Sequence, residues 1–210
     1  MPKIEVAFTT SHGWTQYVLV NLEEDLLDVH LSDLDIQSID LSQLGPMNSL
    51  RTLDLSSNRI DTLDLAPLNR CKDLESLVLY ENSLSSLDLR PLSSFIRLRD
   101  LWLFSNNLES IDLTPLRACA SLSWLSLATN YLSILDLTPL GYCKNLRYLA
   151  LQDNQLQELD VTPLFNCHDL SGLHFDTGIA LRASSIPEQE DMNQVLFQLA
   201  QRTEKFRGSP

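Results

Sequence analysis

The chain has 210 residues, 44% of them hydrophobic, and its 28 acidic and 15 basic residues give a formal charge of −13. That balance excludes a phosphate-backbone binder, which needs a basic face to displace counterions. No apolar run reaches the ~20 residues that a membrane-spanning helix needs, so a soluble protein is expected, with no nucleic-acid or membrane partner.

Residues 1–25 precede any repeat. Ile4, Val6 and Phe8 alternate, Ser11-His12-Gly13 supplies turn chemistry, and Trp14 to Val20 is apolar and β-prone. This pattern predicts a capping β-hairpin. The start, MPKIEVAFTT, lacks the apolar core of a secretory signal.

From Leu26 the chain repeats. Leu26, Leu50, Leu74, Leu98, Leu122, Leu146 and Leu170 are each 24 positions apart (50 − 26 = 24, and so on). A fixed period of this size marks a stacked array in which each block contacts only its neighbours. The block reads L-x-x-L-x-L-x-x-N-x-L-x-x-L-D-L-x-P-L-x-x-C-x-x. Full copies begin at Leu50, Leu74, Leu98, Leu122 and Leu146. The first block is degenerate, with Leu34 at the Asn position and Gln43 at the Pro position. The last starts with Leu170, Leu173 and Phe175 and fails at Gly178 and Ala180. Edge repeats are expected to be atypical. The array is assigned to residues 26–183, about six to seven repeats. Residues 184–210 break at Ser184-Ser185-Ile186-Pro187 and then predict a helix over Glu188 to Arg207. It would have acidic residues in its first turn, Lys205 and Arg207 near its end and Gly208 after it. Its stripe of Val195, Leu196 and Leu199 suits a cap on the last repeat, with presentation to a partner as the alternative.

Within a block, strand alternation turns Leu53 and Leu55 inward and Thr52, Asp54 and Ser56 outward. Cys71, Cys119, Cys143 and Cys167 share one block position, where Met47 and Phe95 stand in other copies. A site that accepts Cys, Met or Phe is apolar packing. The close paired spacing of zinc ligands is missing, and reduced buried thiols suit a cytoplasmic setting. Thr114, Thr138 and Thr162, each followed by Pro, read as helix N-caps. Ala66 and Arg90 replace them in two blocks, where looser turns are expected. Asp40, Asp64, Asp88, Asp112, Asp136 and Asp160 also recur. An Asp before a turn accepts a backbone N–H two residues on. The alternative, a calcium ladder, would want several oxygens per block where this position brings one.

LxxLxLxxNxL resembles the signature of leucine-rich repeats, from Leu26 to about Ala180. The resemblance implies an α/β repeat fold. This is a right-handed solenoid with a parallel β-sheet on the concave face and short helical or 3-10 segments on the convex face. It also implies that Asn58, Asn82, Asn106, Asn130 and Asn154 turn into the core and bond main-chain groups. Buried turns need such partners.

His12, His30, His168 and His174 are scattered, and no nucleophile, phosphate loop or metal-ligand spacing accompanies them. No catalytic, cofactor or metal site is therefore expected. The concave face carries the signal. Val78, Tyr80, Trp102, Phe104, Trp124 and Tyr148 fall on outward positions of neighbouring strands as a diagonal aromatic band. Glu81, Asp100 and Asp153, with Asp54, Glu75 and Asp176, form an acidic rim. Arg51, Arg99 and Arg147 lie towards one edge. Exposed apolar patches mark contact surfaces, and Trp and Tyr dominate interface hot spots. The expectation is a non-enzymatic, monomeric interaction module that binds a basic protein or peptide, with Trp102 and Trp124 as anchors. A carbohydrate-binding protein is the alternative, to be distinguished by insensitivity to salt. Pointing away from the core, Trp102 is expected to be removable within ~0.5 kcal/mol of wild-type stability.

Overall fold

The computed structural model describes residues 3–21, 28–188 and 192–207. The expected array start at Leu26 and the expected helix stop at Gly208 lie outside the described residues. Strands β1 (Lys3–Thr10) and β2 (Thr15–Asn21) form an antiparallel hairpin, with Val6 opposite Val18. Strand β3 (Asp28–His30) opens the repeat sheet, and β4 (Ile36–Ile39) returns to pair antiparallel with β1. Strands β5 (Thr52–Asp54), β6 (Ser76–Val78), β7 (Asp100–Trp102), β8 (Trp124–Ser126) and β9 (Tyr148–Ala150) then follow one per block. Strand β10 (Glu158–Asp160) lies outside that sheet, β11 (Gly172–His174) completes it, and β12 (Ala180–Arg182) pairs in parallel with β10.

The sheet order is β11-β9-β8-β7-β6-β5-β3, parallel throughout. Its register follows the sequence period. Thr52, Ser76, Asp100, Trp124 and Tyr148 make one row, and Asp54, Val78, Trp102, Ser126 and Ala150 the next. The inward set of one block, Leu53, Leu55, Ile60, Leu65, Leu68 and Cys71, is fully buried. Equivalent residues stack on it from each following block, so the core is one continuous column.

On the opposite side the chain returns through short 3-10 turns at Ala66–Arg70, Arg90–Ser94, Thr114–Ala118, Thr138–Tyr142 and Thr162–Asn166. The threonines do not cap these turns. The Asp two residues before the free N–H does so. Asp112 accepts from the Thr114 N–H at 2.8 Å, Asp136 from Thr138 at 2.8 Å and Asp160 from Thr162 at 2.9 Å. Asp64 and Asp88 do the same for Ala66 and Arg90. The two blocks without Thr are therefore as tight as the rest. Leu68 N–H reaches Leu65 O at 3.0 Å and Leu92 N–H reaches Leu89 O at 2.9 Å, against 2.9 Å for Leu116 and Leu113. The expected looseness at Ala66 and Arg90 is thus corrected, because the cap is carried by a residue those blocks retain. Asp136→Ala should lower the melting temperature by about 2–4 °C, the usual effect of losing a cap in a chain of this size. Thr138→Ala should leave it unchanged, and equal losses from the two would contradict the assignment.

Each of Cys119, Cys143 and Cys167 donates its thiol to a carbonyl of the preceding block, Leu92, Leu116 and Leu140, at 3.3–3.4 Å. Burial pushes these three thiols up to about 12 and Cys71 up to about 11. The unfolded thiol ionises near ~8.5. The folded values are raised, so this contribution to stability is complete below the unfolded value and is lost as pH rises towards 11–12. The four cysteines should resist a thiol reagent in the native protein at pH 8 and all react in denaturant. Rapid native labelling would show that they are not core.

Helix α1 (Gln194–Arg207) starts later than Glu188, and no acidic residue stands in its first turn. Residues 189–191 lie outside the described residues. Asn193 sets the start. Its Oδ1 accepts from the Leu196 N–H at 3.0 Å, and its Nδ2 donates to His168 O and Leu170 O at 2.6 and 2.8 Å. Asn is a preferred N-cap, and here the same side chain ties the helix to the last block. Leu196, Leu199 and Ala200 are buried, and Val195 is partly so.

Candidate functional site: the concave aromatic face

The concave surface is shaped by a backbone feature that recurs after the strands. Asp33, Ser57, Glu81, Ser105, Thr129 and Asp153 all adopt left-handed φ values of 52–58°. None is glycine, and the conformation is costly for ordinary L-residues. At every one of these positions but Asp33, which precedes Leu34, it turns the chain sharply inward so that the following Asn faces the core. Asn106 is representative. Its Oδ1 accepts from the Leu84 N–H at 3.1 Å, and its Nδ2 donates to Leu79 O at 2.9 Å and Leu103 O at 3.2 Å. Asn58, Asn82, Asn130 and Asn154 repeat the arrangement. These bonds hold each strand against the next and fix the spacing of the side chains outside.

On that outer surface the aromatic residues form a ladder of ring contacts. Tyr80 stacks on Phe104 at 4.4 Å between centroids, with planes 10° apart. Phe104 meets Trp102 edge to face at 6.3 Å. Trp102 lies beside Trp124 at 6.0 Å, and Trp124 stacks on Tyr148 at 4.9 Å. Tyr148 then meets His174 at 5.2 Å. The rings are half-buried except Trp124, which is 39% exposed, and His174, which is exposed. Val78 stands in register with Trp102 on the adjacent strand.

Two members of this arrangement are missing from the sequence reading. His174 occupies the same block position as Trp102, and that shared position was the available signal. Gly172 contributes through absence. A Cβ there would come within 2.5 Å of Tyr148 Cδ2, so the missing side chain makes room for the ring. Conversely, Ser56 is expected to face outward, yet it is only 1% exposed. Its hydroxyl donates to Asp54 Oδ1 at 2.6 Å. Ser126 and Ala150 are likewise buried on outward positions. Small side chains between bulkier neighbours are shaded by them.

The acidic rim is uneven. Asp54 accepts from the Ser56 N–H and lies 3.6 Å from His30. Glu75 faces Arg51 at 3.6 Å, Glu81 accepts from the Ser57 hydroxyl at 2.8 Å, and Asp153 is 3.5 Å from the Thr129 hydroxyl. Asp176 takes the N–H groups of Asp153 and Asn154 at 2.9 and 3.2 Å, a structural duty at the end of the sheet. The Asp100 carboxylate differs. It is partly buried, sits in register between Ser76 and Trp124, and has no hydrogen-bond or ion-pair partner among the described residues. Burial raises its pKa; nearby Arg99 pulls it down and Glu75 pushes it up. Among the described residues no group of three or more His, Cys, Asp or Glu converges as a metal site would need.

Comparison with known proteins bears on this architecture. A leucine-rich repeat family model matches residues 48–108. Among solved structures, a leucine-rich repeat protein of Leptospira interrogans is similar at 23% identity with a TM-score of 0.55, over 70% of this chain and 39% of that one. An internalin C2 from Listeria monocytogenes is similar at 28% identity with a TM-score of 0.50, over 64% of this chain and 56% of that one. The chain thus spans from 39% to 56% of the lengths of these two. No curated protein matches it. The 24-residue blocks, the parallel inner sheet with its buried Asn ladder, and these likenesses show a leucine-rich repeat fold.

Proposed function

We propose that this protein is a non-enzymatic interaction module that binds a protein or peptide through its concave aromatic face. The observation that carries the reading is the unbroken ladder from Tyr80 to His174 across the open side of the sheet. It crosses five strands, so it runs for ~19 Å, enough for about six residues of an extended segment. Cross-strand pairing of aromatics is a stabilising device in its own right. It accounts for Tyr80 on Phe104, but it leaves Trp124 with more than a third of its surface open. An apolar centre ringed by charge is the usual anatomy of an interface.

Sugar binding is the rival use of aromatic rings. Stacking on a sugar needs a broad open ring face, whereas Tyr80 with Phe104 and Trp124 with Tyr148 cover one another at 4.4 and 4.9 Å and leave only the narrower Trp102–Trp124 step, which suits a flat side chain better than a puckered ring. That favours a polypeptide partner. The test is affinity capture from native lysate with wild type and with Trp102→Ala/Trp124→Ala, alongside a glycan array. A protein retained by wild type, lost from the variant and weakened by salt supports the reading. Equal retention by both, or clear glycan hits, would overturn it.

A further inference from the structure

The ladder is not uniform, and its widest stacked step coincides with the unpaired carboxylate. Tyr80–Phe104 and Trp124–Tyr148 are closed at 4.4 and 4.9 Å, but Trp102 and Trp124 stand 6.0 Å apart, tilted by 28°. Two rings need ~7 Å between them to admit a planar group, twice the ~3.5 Å contact distance. The Trp102–Trp124 step is therefore the stacked step nearest to accepting such a group, which a parting of the two rings by about 1 Å would admit. Asp100 lies at that step, in register with Trp124 and two residues before Trp102 on the same face. Every other acidic group of the rim has a partner: Asp54, Glu75, Glu81, Asp153 and Asp176 are each bonded or paired within the chain.

A half-buried carboxylate without a donor, beside indole faces, is complementary to one side-chain type above others. A guanidinium is planar, stacks on aromatic faces, and presents a fork of N–H donors matched to a carboxylate. An ammonium offers a point charge and cannot stack. We propose that the Trp102–Asp100–Trp124 step is the docking site for an arginine side chain of an extended partner segment, its plane against the indoles and its N–H fork on Asp100. This rests on the concave face being the binding surface, and it names the chemistry that face selects. Glu75, and the acidity of the chain as a whole, favour the same sign of charge. Arg99, next to Asp100, opposes it in part and is itself exposed.

The experiment uses a random-peptide phage library selected on the full chain. Selected peptides are titrated by tryptophan fluorescence against wild type, Asp100→Asn and Trp102→Ala/Trp124→Ala. Wild type should select peptides with a shared Arg, and replacing that Arg by Lys or citrulline should weaken binding about tenfold or more, the value of a charge-assisted bond. Asp100→Asn keeps the side-chain shape and removes a charge that burial disfavours, so it should melt as wild type does. It should bind the Arg and citrulline peptides alike. Peptides that need the two tryptophans but show no Arg dependence would overturn the arginine site and leave the binding face standing. Selection of no peptide, or binding untouched by loss of both tryptophans, would overturn both.

Discussion

Asn106→Ala is expected to destabilise the protein by about 3 kcal/mol, the upper end of the cost of orphaning a buried polar group. Leu79 O keeps the Asn82 amide, Leu103 O keeps the Asn130 amide, and Phe104 O keeps the Glu81 N–H when Asn106 is truncated. The Leu84 N–H has Asn106 Oδ1 as its acceptor and would be left buried and bare. One orphaned donor plus three weakened carbonyls exceeds an ordinary surface change several-fold. Chemical denaturation of wild type and variant would measure it. An unchanged midpoint would mean that water reaches the Leu84 N–H and that the ladder contributes geometry without energy.

Trp102→Ala is expected to weaken partner binding by ~2 kcal/mol or more, roughly thirtyfold, as truncation of a central aromatic anchor does. The sequence-based expectation of an almost neutral effect on stability needs revision. Trp102 is half-buried and touches both Phe104 and Trp124, and an aromatic pair contributes about 0.5–1.5 kcal/mol beyond its area. A stability loss near 1 kcal/mol is therefore expected together with the larger loss of binding. Paired melts and titrations separate the two. A stability loss that matched or exceeded the loss of binding would make Trp102 a structural residue.

Most of this fold is legible in the sequence because the period is strict. A side chain that returns every 24 residues must meet the same neighbours each time, so alternation within one block fixes which side every copy faces. That logic places Leu53, Asn58, Cys71 and the ring-bearing positions together. It is silent where two candidates recur with the same period. Asp112 and Thr114 both qualify as the cap of one turn, and only the structure decides between them: the Asp112 carboxylate takes the Thr114 N–H, and the Thr114 hydroxyl caps nothing. It is silent also about shading. Ser56 and Thr52 both occupy outward positions, yet Ser56 folds onto Asp54 and is covered. Outside the repeat the period gives no help. The acidic residues before α1 imitate a first helical turn, and Asn193 is recognisable as the start only from its bonds to His168 and Leu170.

The direction of the Asn bonds gives the array a head and a tail. Asn82 completes the backbone of the block before it, at Ile60 N–H and Leu55 O, and Asn106 does so in turn for Leu84 and Leu79. In these side-chain bonds each unit is finished by its successor, while main-chain bonds such as Ser83 N–H to Ile60 O tie it to the unit before. A chain emerging from the ribosome would therefore close like a ratchet that always trails synthesis by one block. The same rule requires a terminator where the succession stops. The Asp176 carboxylate supplies it, accepting two N–H groups whose counterparts in earlier blocks go to main-chain carbonyls of the following block. Excision of a whole internal block would leave every join intact, whereas loss of the segment bearing Asp176 would leave the array without its full stop.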